Sequence, residues 1–208
     1  MEREGVTEVR PYDQRLAAAF ARRLAPTGIS PNAMTTVGLL AGLAAGALFA
    51  VGGPFSPHLG ALVFVYAVFN DHVDGELARF TGRMSEFGHY FDHVAACVSY
   101  LSMFVGAGIG LGQAAGEGWA VPFGIIAGLS VVAIFSVRLW VEETVDRAAV
   151  RQKQYGGFEV EDLLYLVGPI TWLGGLSLFI AAAGIGTPIF LLWVVWQALR
   201  ARRAAGEP

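Results

Sequence analysis

The sequence predicts an all-α integral membrane protein: six transmembrane helices, preceded by an N-terminal amphipathic helix lying in the membrane interface. Three observations lead there. Of the 208 residues, 55% are hydrophobic and only 15% charged, which is too apolar for an ordinary soluble domain. Several apolar stretches reach the roughly 20 residues needed to cross a bilayer. The basic residues cluster in alternate connections, the pattern of a chain with one cytoplasmic face. The net charge of −3 says little alone, and no nucleic-acid partner is expected.

Residues 1–208 read as a single domain, with an interfacial segment over 1–30 and the six-helix bundle over 31–203. Residues 1–10 are charged and have no leading apolar core, so they do not resemble a cleaved signal peptide. From Pro11 to Leu24, Leu16, Phe20 and Leu24 recur every four residues among Arg15, Arg22 and Arg23, which suits an interfacial helix. Pro31 and Asn32 punctuate a helix start. The first span is expected over about 32–52, closed by Gly52-Gly53-Pro54.

The second span is expected over about 57–80, the third over about 86–111 and the fourth over about 119–145. A charged connector with Arg147, Arg151 and Lys153 occupies 146–161. The apolar remainder is divided at Gly184 to Pro188 into helices 163–182 and 187–203, with one long broken span as the alternative. Basic residues fall in the N-terminal segment, the 79–83 turn, the connector and the 200–203 tail, with Arg138 alone inside a span. Six spans gather all these clusters on the cytoplasmic side with both termini, whereas five would strand Arg200, Arg202 and Arg203 outside. Cys97 is the one cysteine, so no intrachain disulfide forms. Lys153 is the single lysine, a hint of a GC-rich bacterial gene and hence of an inner-membrane location.

The chemistry concentrates in residues 71–96. Asp71, Asp74, Gly75 and Ala78 fall at i, i+3, i+4 and i+7, one face of a helix. Gly88, Asp92 and Ala96 fall at i, i+4 and i+8, again one face. A polar turn at Thr81-Gly82-Arg83 separates the halves, so Asp71, Asp74 and Asp92 converge if the two helices run antiparallel. Carboxylates brought together repel unless a cation sits among them, and oxygen ligands suit Mg²⁺ or Mn²⁺. Gly75, Ala78 and Gly88 keep these faces open to a ligand or another backbone. Arg79 can meet a phosphate. His89 and His93 stand at i, i+4, where a transition-metal pair or an interfacial hydrogen-bonding role is possible.

This stretch resembles the signature of the CDP-alcohol phosphotransferase family, Asp-x2-Asp-Gly-x2-Ala-Arg-x8-Gly-x3-Asp-x3-Asp, carried here by Asp71, Asp74, Gly75, Ala78, Arg79, Gly88 and Asp92. The last acid is replaced by Ala96. The resemblance implies one or two Mg²⁺ or Mn²⁺ ions at Asp71, Asp74 and Asp92. It implies a CDP-linked lipid donor whose nucleotide lies along Gly75, Ala78, Arg79 and Gly82, because a side chain at the small positions would block the base. Pro31, Asn32 and Thr35 fit a further family motif, Pro-Asn-x-x-Thr, and add Asn32 and Thr35 to the nucleotide contacts. The reaction implied is transfer of a substituted phosphoryl group to an acceptor alcohol with release of CMP, by a homodimer whose site faces the cytoplasm.

Position 96 is where the family places its base, so Ala96 implies an inactivated or very slow form. Arg138 is a candidate contact for a phosphorylated acceptor, or a partner of Glu142 four residues on. Two other classes stand beside the enzyme: a non-catalytic nucleotide- or lipid-binding relative, and a transporter with an intramembrane acidic ion site.

Overall fold

A computed structural model describes residues 12–144 and 164–204, and they are almost wholly helical. The helices are α1 (Tyr12–Leu24), α2 (Pro31–Val51), α3 (Ser56–Thr81), α4 (Glu86–Ala114), α5 (Ala120–Thr144), α6 (Val167–Trp172) and α7 (Leu176–Ala204). By length and apolarity α2, α4, α5 and α7 are able to cross a membrane. With 26 residues α3 is long enough, about 39 Å at 1.5 Å per residue, but its second half carries the acids. The bounds expected for the first four spans agree with α2 to α5 within a few residues.

The expected break at Gly184 to Pro188 does not occur. Helix α7 runs through it, with Pro188 inside. Among packed membrane helices glycine lets neighbours approach, and proline is tolerated. Gly184 lies against the Phe123 ring, and Thr187 returns a hydrogen bond to the Ala183 carbonyl at 2.9 Å. The turn comes earlier, after Trp172, where Gly174 adopts φ 79°. There Gly174 N–H donates to Thr171 O and Gly175 N–H to Ile170 O. The helix expected over 163–182 is therefore divided between α6 and α7. The connector with Arg147, Arg151 and Lys153 lies outside the described residues.

The bundle is built on α2, which packs along both α3 and α4; α5 packs on α4, and α7 on α5. Glycine makes this possible. A Cβ on Gly106 would strike the Gly46 carbonyl, one on Gly110 the Phe49 carbonyl and one on Gly124 the Phe104 carbonyl. Phe49, Phe64, Tyr100, Met103, Phe104 and Ile180 fill the shared core. At one end, Trp172 Nε1 donates to His58 O at 3.2 Å and Ser177 Oγ to Glu117 Oε2 at 2.6 Å. That end joins the start of α3, the α4–α5 loop and the α6–α7 turn. The end of α3, the start of α4 and the Arg-rich end of α7 lie at the other.

Helix α1 packs on α3 through Ala17 and Ala21, both fully buried. Its other face, with Leu16 and Phe20, is largely exposed, apart from an edge contact between Phe20 and Phe69. His72 closes a junction of three elements: its Nδ1 stands 2.9 Å from Asp13 Oδ2 on α1 and 3.0 Å from the Tyr165 hydroxyl, just before α6.

Candidate active site

Local sequence sets the turn between the acid-bearing helices. Gly82 ends α3 at φ 67°, its N–H returning to the carbonyls of Ala78 and Arg79. Three residues later Ser85 opens α4, its hydroxyl accepting from Gly88 N–H at 3.0 Å. On α2, the Ser30 hydroxyl accepts from Ala33 N–H at 3.2 Å, and Pro31 follows as the first helical residue. Three helix ends thus meet at one place, and Arg83 Nη1 donates to Gly28 O at 3.4 Å across it.

Between them lies a cleft of about 800 Å³. Asn32 and Thr35 of α2, Asp74, Gly75, Ala78 and Arg79 of α3, and Gly88 and Asp92 of α4 all line it. Asp74 is 3% exposed. Its Oδ2 and the Oδ1 of Asp92 are buried without a hydrogen-bond partner among the described residues. Asp74 and Asp92 face the same cleft, and Asp71 joins Asp74 and Thr35 in lining a smaller pocket. The three acids therefore converge, from two helices. Among the described residues no set of three His, Cys, Asp or Glu side chains is already grouped as a metal centre. Two orphaned carboxylate oxygens against a third carboxyl are nonetheless what a hard divalent cation would satisfy.

Asp71 and Ala96 line a second pocket beside the cleft, together with Asp74, Thr35, Ser99 and Tyr100; its volume is about 20 Å³, room for one water. The methyl of Ala96 thus faces the acids.

Some expected site residues are elsewhere or work differently. Gly82 does not line the cleft, and a Cβ there would meet nothing within 4 Å. Its φ of 67° favours glycine whatever occupies that space. Gly75 does open the cleft: a Cβ there would meet only the Arg79 guanidinium, at 3.6 Å. Arg79 lines the cleft while donating to Glu76 Oε1 at 2.9 Å. Arg138 does not line it; its guanidinium lies over the Phe190 ring of α7, 5.8 Å from the centroid. His89 lines the cleft, but His93 is turned to Cys97, with Nε2 3.7 Å from Sγ, so the two do not act as a pair.

The sequence reading missed Glu86, Tyr90, Glu142 and Glu143, which also line the cleft. The last two reach it from α5, some 50 residues beyond the motif, and carry no local signal.

A profile of the CDP-alcohol phosphatidyltransferase family matches residues 28–200. The chain belongs to this family. Its members are integral membrane proteins that depend on a metal and use CDP-linked alcohols. One similar relative is the archaetidylinositol phosphate synthase of Pyrococcus horikoshii, 30% identical over 50% of this chain and 54% of its own length. Another is the phosphatidylinositol phosphate synthase of Streptomyces avermitilis, 38% identical over 47% of this chain and 39% of its own length. The chain thus spans about half or less of the curated relatives it matches.

In fold the chain is similar to crystal structures of Mycobacterium tuberculosis phosphatidylinositol phosphate synthase. The one with CDP-DAG bound aligns at TM-score 0.68 and 22% identity, over 88% of this chain and 94% of that one. The complex with manganese and citrate aligns at 0.62 and 24%, over 86% and 88%.

Proposed function

We propose that this family member transfers a substituted phosphoryl group from a CDP-linked lipid, CDP-diacylglycerol first, to an acceptor alcohol, releasing CMP in phospholipid synthesis. The observation that carries the reading is the pair of buried, unpartnered carboxylate oxygens on Asp74 and Asp92 at the floor of a cleft with small-residue walls. Asp71, Asp74 and Asp92 would hold one or two Mg²⁺ or Mn²⁺ ions. An ion held by these residues would supply positive charge against the diphosphate and offset the negative charge that develops on transfer. The manganese and the CDP-DAG in the similar solved structures support the same ligands here.

Around that floor the side chains have separable tasks. Gly75 and Ala78 leave room for the nucleotide, and Asn32 and Thr35 offer polar contacts to it from α2. Arg79 attracts phosphate, with Glu76 holding its guanidinium in place. Burial at the floor limits water as a competing acceptor. A carboxylate at 96 would lie one helical turn beyond Asp92 on the same face, where it would take the acceptor's proton. The methyl of Ala96 cannot, so this chain binds donor but turns over slowly. Loss of general-base help is worth about 10²–10⁴-fold. Both curated relatives are named for inositol phosphate products, which makes a phosphorylated inositol the first acceptor to try.

The test is CMP release from CDP-diacylglycerol with Mg²⁺ or Mn²⁺ and a panel of alcohols, for the chain as it stands and for Ala96→Asp. A rise of at least about 100-fold in the variant is expected. Donor binding without CMP release in both would favour the non-catalytic reading, for which Ala96 is the support; no donor binding in either would sink the assignment.

The topology that goes with this reading is six crossings, with α1 in the interface and the cleft and both termini cytoplasmic. The Leu16 and Phe20 exposure of α1 and the common end of Arg79, Arg83 and the α7 tail support it. Cysteines placed at Ser56 and Arg202 should label from opposite sides of the membrane. Labelling of both from one side would break it.

A further inference from the structure

Asn70 precedes Asp71 and is 2% exposed. Its Nδ2 donates to the Met34 carbonyl of α2 at 2.7 Å. Gly38, one turn beyond Met34, admits the amide: a Cβ there would stand 2.8 Å from Asn70 Nδ2. In a helix the Met34 carbonyl already receives the N–H of residue 38. The Asn70 bond is thus added to a satisfied backbone group, and α2 does not need it to be helical. A polar amide at this depth, among alanines and glycines, has its value in fixing which turn of one helix meets which turn of another.

What it fixes is the acid end. Thr35 follows Met34, and Asp74 lies one turn beyond Asn70 on α3. Thr35 is 5% exposed and its hydroxyl donates to Pro31 O at 3.1 Å. That bond takes the one hydroxyl proton, so what ties the acids to α2 is packing: α2 lies along both α3, with Asp71 and Asp74, and α4, with Asp92. A slip of α3 along α2 by one residue would shift Asp74 by about 1.5 Å and turn it by about 100°, away from Asp92.

We propose that Asn70 is a positioning residue for the carboxylate site. Its bond to Met34 sets the register of α3 on α2, and through α2, which packs along both α3 and α4, the place where Asp71 and Asp74 meet Asp92. The inference rests on the reading of Asp74 as a metal ligand.

The test measures Mn²⁺ affinity of the full chain in bilayer nanodiscs, well below the melting temperature, beside the melting temperature without metal. Asn70→Leu should weaken Mn²⁺ binding at least fivefold in protein that is still folded. Gly38→Ala, which presses the amide from the α2 side and leaves α3 unaltered, should weaken binding in the same direction. It also serves if Asn70→Leu does not fold.

Unchanged Mn²⁺ affinity in Asn70→Leu or Gly38→Ala, with or without a lower melting temperature, would reduce Asn70 to a packing residue. A parent chain that binds no Mn²⁺ would overturn the metal reading and this one with it.

Discussion

The two ends of the bundle use the same residue for opposite purposes. Along α2, α4 and α5 glycine is where backbones touch: Gly46, Gly106, Gly110 and Gly124 have carbonyls where a Cβ would be. At the acid end Gly75 has only a flexible guanidinium near it, and Gly82 has nothing within 4 Å. The closed region has no space to lose, while the open one holds the cleft of about 800 Å³. Small residues therefore cannot be assigned a role from their spacing; the neighbour that a missing Cβ would meet decides it.

That contrast is broken most severely by Gly110→Val. Its side chain would have to displace the Phe49 carbonyl, a backbone atom held by its own helix. Overpacking of this kind costs about 3 kcal/mol or more, and the folded protein should be largely lost on size-exclusion in detergent. A well-folded variant would mean that α2 and α4 are free to separate.

Next in size is the acid floor. Asp92→Asn keeps the shape and removes a charge, as does Asp71→Asn. Either should weaken divalent-ion binding at least about tenfold, or 1.4 kcal/mol, by calorimetry, with little change in melting temperature. Retained Mg²⁺ and Mn²⁺ affinity in both would place the ion elsewhere.

The smallest effects sharpen the comparison within the open end. Gly82→Ala should lower stability by about 1 kcal/mol, because alanine is strained at positive φ, and leave donor affinity intact. Gly75→Leu should do the reverse, weakening CDP-diacylglycerol binding several-fold without a drop in melting temperature. Equal behaviour of the two in a binding titration would remove the distinction drawn between backbone conformation and cleft volume.

Long apolar runs and the helix start at Pro31 were legible because each is a local property, and α2 begins at Pro31. The carboxylate faces were legible for the same reason, since helical spacing alone aligns Asp71 with Asp74. The Gly184 to Pro188 stretch misled, because residues that break helices in water pack them in lipid. Gly82 has both a turn backbone and open space around it, and spacing alone could not say which of them calls for glycine. The parts of the cleft supplied by Glu142 and Glu143 depend on how α5 crosses α4, and nothing within either segment encodes that. Asn70 and His72 were passed over because their partners, Met34, Asp13 and Tyr165, are remote in the chain.

The junction at His72 has a consequence for how far the motif can be moved. Asp71 is flanked on one side by a residue bonded to α2 and on the other by a residue held by α1 and Tyr165. A hairpin of residues 71–96 grafted into another scaffold would carry every acid and none of the frame that orients them. The signature identifies the site, but it is not a transferable part. A chain shortened to begin at residue 30 would keep all its ligands and still lose Asp13, one of the supports on which the first of them depends.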